Sequence, residues 1–379
     1  MKSLAEQADH AVLVKGAHDD RARQDFAFTL RNLVTSEWMP ATRTVFDRRA
    51  APRFASTHGA HPATPRDIRT AMDADGWYRF YLSARRCSQE LIWESVIPAV
   101  AAAPPSGGDG VELDTRVSPP RYMSAIDIHC MPGGYASDRG GDDLAAGAVY
   151  DRGVYLYMSG LMGPRNDAVG ALTAAYLRTH FPQFAPVRIL DMGCGVGHAT
   201  LPYCDAYDRA EVHGIDVAPA LLRYADERAR SWGKVAQFHQ RDAEASGFPD
   251  RHFDLVTSHI VLHETSTRAL GAILAESYRL LAPGGMMVHV DQPRFDGADA
   301  WGSFLQENET FYNNEPFWRK YRSIDLEAAA VAAGFDASAV TLDILTADVV
   351  RQSQNNEPLS PAAAAQRRAG FSILIARRA

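Results

Sequence analysis

From Val187 onward, short apolar runs alternate with helical stretches. The runs VRILDM, AEVHGID, VAQFHQRD, FDLVTSH and GGMMVHVD read as strands, and the stretches near Ala199 to Asp208, Pro219 to Trp232 and Ala269 to Leu281 read as helices between them. Alternation of this kind predicts a parallel sheet joined by right-handed crossovers, with helices on both faces. Ile324 to Ala333 then reads as a further helix ended by Gly334, followed by strands VTLDIL and FSILIARR. The fold class expected is α/β, a doubly wound, mostly parallel seven-stranded sheet.

The first hundred residues have a different rhythm. Trp77, Phe80, Tyr81, Ala84, Leu91, Ile92 and Val96 recur mostly at three- and four-residue intervals, so this segment predicts a helix with one face seeking a partner. Ala101 to Pro120 carries Pro104-Pro105, Gly107-Gly108 and Pro119-Pro120 and reads as a linker. A second glycine-rich patch, Pro132 to Gly147, precedes VYDRGVYLYMSG and a helix at Val169 to Phe181. The division expected is a mainly helical N-terminal region at 1–120 ending in the linker, a connector and cap at 121–165, and an α/β domain at 166–379 with a lid insertion at 294–323.

Composition narrows the function classes. Of 379 residues 46% are hydrophobic and 22% charged, the balance of an ordinary folded protein. A net charge of −7 gives no overall attraction for nucleic acid or anionic lipid, so neither is an expected partner. Cys87, Cys130, Cys194 and Cys204 form no CxxC pair or zinc spacing, which fits free thiols in a reducing compartment and no bound metal. No apolar run reaches the roughly 20 residues of a membrane span, and the N-terminal run is too short for a signal peptide. A cytoplasmic location is expected.

The first strand of the α/β region ends in Asp191-Met-Gly193-Cys-Gly195-Val-Gly197, a turn able to bring backbone close to a ligand. A dinucleotide fingerprint would need glycine where His198 or Thr200 stands, and the Gly233-Lys234 pair is followed by Val235, which excludes a Walker A loop. The remaining pattern, D-x-G-x-G-x-G, resembles motif I of the class I S-adenosylmethionine-dependent methyltransferases. The likeness continues through Asp216 at the end of the second strand, Asp242-Ala243 at the end of the third, GFPDRHFDLVTSHIVLHE into the fourth, and YRLLAPGGMMVHVD into the fifth.

The resemblance implies S-adenosyl-L-methionine as cofactor. It places the methionine part on Gly193, Gly195 and Gly197, the ribose on Asp216 beside Val217, and the adenine on Asp242 and Ala243, with Ser258 also at the site. Asp191 would hold the loop or the methionine ammonium. The implied reaction is in-line methyl transfer to a small-molecule acceptor, in which orientation carries most of the barrier reduction and a base assists when the acceptor loses a proton. His263 in SHIVLHET is the expected base, with His259 and Glu264 as weaker candidates. His259 and His263 are spaced as two metal ligands on a helix would be, but no third ligand is evident.

Phe295, Trp301, Phe304, Phe311, Tyr312, Phe317, Trp318 and Tyr321 are expected to wall the acceptor pocket, to pack on the N-terminal helices, or to do both. Tyr150, Tyr155 and Arg165 lie just upstream of the α/β core, where some proteins of the family place a residue that touches the cofactor's carboxylate; plain core packing is the expectation for both tyrosines. The N-terminal region is expected to cap the acceptor site, support a homodimer, or both. Two other readings stay open: the same cofactor fold used for a different reaction, and a catalytically silent cofactor- or partner-binding protein.

Overall fold

The computed structural model describes residues 6–108, 110–293, 299–347 and 370–379. The N-terminal region begins with a helical rod over 18–58, α-helical at α1 (His18–Leu33), α2 (Met39–Val45) and α3 (Ala51–His58). Between these, Val34–Trp38 and Phe46–Ala50 are wider π turns, each just ahead of Pro40 or Pro52. Proline has no N–H for the i−4 carbonyl and its ring crowds that carbonyl, so the local widening keeps the rod continuous. Two more helices follow, α4 (Pro65–Asp73) and α5 (Gly76–Ala102). Asp75 caps α5 by accepting hydrogen bonds from the backbone N–H groups of Trp77 and Tyr78.

The stretch expected as a linker is packed along the sheet. Glu112 N–H donates to Phe238 O, Gln240 N–H donates to Glu112 O, and Gly108 N–H donates to the Glu227 carboxylate. The connector holds α6 (Arg121–Ser124), a short 3-10 turn at Ile128–Cys130 and α7 (Ala145–Tyr157), and α8 (Ala168–His180) leads into the sheet.

The sheet is built from β1 (Arg188–Met192), β2 (Glu211–Asp216), β3 (Gln237–Gln240), β4 (Phe253–His259), β5 (Leu281–Asp291), β6 (Val340–Leu345) and β7 (Phe371–Arg377). Its order is β3-β2-β1-β4-β5-β7-β6, with the first five parallel and β7 antiparallel to both β5 and β6. The crossovers carry α9 (Leu201–Ala206), α10 (Pro219–Ser231) and α11 (Thr267–Leu280); α12 (Ala300–Tyr312), α13 (Trp318–Tyr321) and α14 (Leu326–Ala332) come between β5 and β6. Strand order reverses between β1 and β4, which sets a ligand crevice at their carboxyl ends.

Successive strand residues bury on opposite faces. Leu190 and Met192 pack with Leu270, Ile273 and Leu274 of α11, whereas Ile189 packs with Val169 and Leu177 of α8 and Tyr203 of α9. Covered on both sides, β1 buries Ile189, Leu190 and Met192 together with Asp191. A further cluster joins the N-terminal helices to the α/β region: Phe28, Ile92, Trp93 and Val96 pack in one core with Leu144, Val149, Val196, Leu221 and Tyr224. Phe304, with Trp301 and Tyr312 partly buried beside it, packs against Val34, Phe46, Ile68 and Met72, so these insertion aromatics lie on the N-terminal helices. Phe295 lies outside the described residues. Among the described residues no helix is long and apolar enough to cross a membrane, and all four cysteines are unpaired.

Candidate active site

The turn after β1 folds back on the tip of β2. The N–H groups of Gly193 and Cys194 both donate to Ile215 O, and Gly195 N–H donates to Asp216 Oδ2 at 2.9 Å. Gly193 and Gly195 have φ of +70° and +52°, where a side chain is strained, and a Cβ on Gly193 would also sit 2.8 Å from Val261 Cγ2. The turn thus keeps its backbone bare beside a cavity of about 920 Å³ including its open mouth.

Of the expected cofactor residues, Gly193, Gly195, Asp216, Val217, Asp242 and Ala243 line this cavity together. Asp216 Oδ1 accepts from Ala218 N–H at 3.0 Å, and each carboxylate oxygen keeps lone-pair capacity for a hydroxyl. Burial pushes the Asp216 carboxyl up from its ordinary value, against the backbone N–H bonds that favour its charged form. Asp242 Oδ1 accepts from Glu244 N–H at 2.8 Å, which fixes the turn that presents Ala243. A bare glycine turn, a carboxylate with capacity for two hydroxyls, and a second strand-tip turn fit the three parts of S-adenosylmethionine.

Three other expected residues stand behind the wall. Asp191 is buried and holds the loop: Thr200 Oγ1 donates to its Oδ2 at 2.6 Å, and His259 Nδ1 lies 3.2 Å from its Oδ1. Gly197 closes the turn at φ +76° without lining the cavity. Ser258 is a correction: fully buried, its hydroxyl is engaged by His289 Nδ1 at 2.6 Å, because its place on β4 points it toward β5.

His263 is the larger correction. It is fully buried and does not line the cavity. Its Nδ1 is 2.5 Å from Asp291 Oδ1, and its Nε2 faces Glu315 Oε2 at 3.3 Å, within ion-pair distance but not aligned for a hydrogen bond. Burial alone would lower its pKa, but Asp291, then Glu315 and Glu264, outweigh that and raise it to about 10. Sealed behind the wall and engaged by Asp291, His263 makes no contact with the cavity from which it could take an acceptor's proton. The 3-10 turn Leu262–Glu264 sends neighbouring side chains in different directions, and Glu264 takes the place on the cavity wall. His259 also lines the cavity, with Nδ1 on Asp191 and Nε2 on Tyr203 Oη at 3.1 Å. His259 and His263 therefore have separate partners, and among the described residues no group of three or more ligating side chains is arranged to hold a metal.

Sequence reasoning missed the opposite wall. The connector supplies Tyr122, Met123, Ile128, His129 and Tyr135. Glu264 Oε1 is met by His129 Nε2 at 2.9 Å and accepts from Tyr135 Oη at 3.1 Å, and His129 Nδ1 lies 3.2 Å from Glu315 Oε1. Burial opposes charge on His129, but Glu315 and Glu264 raise its pKa well above the ordinary value. Burial likewise opposes charge on Glu315, which His129 and then His263 hold down to about 2. A relay of acid–imidazole contacts, Asp291, His263, Glu315, His129 and Glu264, thus crosses from strand tip through the insertion to the connector. His129 and Cys130 both have positive φ, 56° and 60°, and the His129 carbonyl accepts from Gln89 Nε2 and Trp93 Nε1, each at 2.8 Å. Such conformations persist where surrounding contacts over-determine them.

Tyr150 lines the cavity beside Gly195 and stacks on His198. Tyr155 is buried away from it, and Arg165 lies over Trp232.

Comparison with known proteins finds similarity in the same part of the chain. Residues 189–285 match the family model described as "Methyltransferase domain". Among curated proteins, a stretch of 109 residues is 39% identical to a demethylmenaquinone methyltransferase of Thermus thermophilus, covering 29% of this chain and 49% of that protein. A malonyl-[acyl-carrier protein] O-methyltransferase of Halorhodospira halophila is 37% identical over 27% of this chain and 34% of its own length. The chain thus spans half or less of these relatives. A solved S-adenosylmethionine-dependent methyltransferase from Archaeoglobus fulgidus is similar over 59% of this chain and 99% of its own, at 18% identity and a TM-score of 0.40. Residues 189–285 are thus similar to a methyltransferase domain.

Proposed function

We propose that the protein transfers the methyl group of S-adenosylmethionine to a small-molecule acceptor held between the strand tips and the connector. The observation that carries this reading is one cavity lined on one side by Gly193, Gly195, Asp216, Asp242 and Ala243 and on the other by Tyr122, Met123, His129, Tyr135 and Glu264. When bound, the cofactor supplies an electrophilic methyl on a sulfonium. The chain's own part is to hold the donor on Asp216 and the glycine turn, to align the acceptor against the connector wall, and to exclude water. Such orientation is worth roughly 7–11 kcal/mol of barrier.

The similar proteins are named for different acceptors, demethylmenaquinone, malonyl-[acyl-carrier protein] and trans-aconitate, so they leave the acceptor open. Calorimetry with S-adenosylhomocysteine tests the donor site: the wild type binds it, and Asp216→Ala weakens binding at least about tenfold through loss of charge-assisted bonds. Equal affinity in the two proteins would remove Asp216 from the site. Product mass then tests the reaction, which requires the gain of one methyl.

A further inference from the structure

Three carboxylates line the cavity, and they are not equivalent. Asp216 and Asp242 sit at the strand tips in the donor half, each fixed by backbone N–H groups. Glu264 sits on the other wall, among side chains of the connector. Its Oε1 carries both His129 and Tyr135, whereas its Oε2 makes no hydrogen bond among the described residues. Neither partner is free to follow a ligand: His129 is held by Glu315 and by its anchored left-handed turn, and the Tyr135 ring packs edge-on against Tyr150.

The surroundings offer little to an anion. Arg241 is the one guanidinium among the described lining residues: Nη1 donates to Ser246 O, Nη2 to Glu112, and its plane lies over Phe248, while its buried Nε has no partner. The charge on His129 is already matched by Glu264 and Glu315. Tyr122, Met123 and Ile128 complete a largely apolar, aromatic wall.

Resting on the donor-site reading above, we infer that Glu264 sets the acceptor class: an apolar or aromatic molecule, neutral or cationic, that presents an O–H or N–H to Glu264 Oε2. A carboxylate acceptor at Glu264 Oε2 would put like charges in contact, and the cation beside it, His129, is already shared between Glu264 and Glu315, which is discrimination by repulsion.

A matched set of naphthyl probes tests this on the full chain near neutral pH: a naphthol, a naphthylmethylamine, the corresponding naphthoate, and the naphthyl methyl ether, which lacks a donor. Calorimetry is run on the protein alone and after saturation with S-adenosylhomocysteine. The naphthol and the amine should bind at least about tenfold more tightly than the naphthoate, and the ether should fall below the naphthol. In Glu264→Gln the preference over naphthoate should shrink to about threefold or less, with S-adenosylhomocysteine affinity unchanged. If that variant does not fold, the wild-type ranking decides. Naphthoate binding as tightly as naphthol, a ranking untouched by Glu264→Gln, or no probe bound would each overturn the inference. Failure to bind S-adenosylhomocysteine would sink the donor-site reading instead, while the probes on the unloaded protein still judge Glu264.

Discussion

His263 gives the protein a pH signature. Its pKa is raised from 6.5 to about 10, so its pairing with Asp291 and Glu315 stabilises fully below 6.5 and is lost as pH rises through about 10. Glu315 runs the other way: depressed from 4.5 to about 2, it contributes above 4.5 and fails as pH falls through about 2. Urea midpoints measured across pH should therefore fall between pH 6.5 and 10, and more steeply in the wild type than in His263→Gln. At neutral pH, His263→Ala strands two buried carboxylates and should lose about 3–5 kcal/mol. A loss under about 1 kcal/mol would mean that the relay is not ionised as described.

At the scale of elements, the glycine turn after β1 has little room for change. Gly193→Ala meets both a positive φ and Val261, and should weaken S-adenosylhomocysteine binding measured by calorimetry while costing about 1–3 kcal/mol in urea unfolding. Unaltered binding would mean that the turn relaxes without moving the site. This element was legible in the sequence because its glycines answer a backbone requirement that no other residue meets without strain. The strands were legible too, since burial on both faces concentrates apolar residues in short runs such as those of β4 and β5.

The long helix α5 was placed correctly at its start but runs six residues past Val96, and its orientation was read less well. Phe80, expected on its buried face, is 57% exposed, while Arg85 lies inside, its guanidinium donating to Glu309 and Asn313 of the distant insertion. Periodicity counts apolar residues and cannot see a buried arginine satisfied across more than two hundred positions. The same blindness hid the connector wall. His129 and Glu315 gain meaning only when three separate segments meet, whereas Asp291, a carboxylate at a parallel strand's carboxyl end, obeys the rule that picked out Asp216.

For the molecule as a whole, the apolar cluster shared by α1, α5, α7 and α10 means that the N-terminal region and the sheet stand or fall together. Removing residues 1–100 would expose Val149, Leu221 and Tyr224, so the truncated chain should aggregate on expression instead of giving a soluble domain that binds S-adenosylhomocysteine. A soluble, binding-competent fragment recovered by gel filtration would show two independent units.

The anchoring of the His129 carbonyl by Gln89 and Trp93 makes the ceiling over the reaction chamber part of the same rigid frame as the longest helix. Any shift of the wall around His129 must then carry the anchored turn with it, so that segment moves as a unit and not as one side chain. A crosslink pinning that segment to α5 should slow ligand exchange in both directions while leaving equilibrium affinity for the donor largely intact.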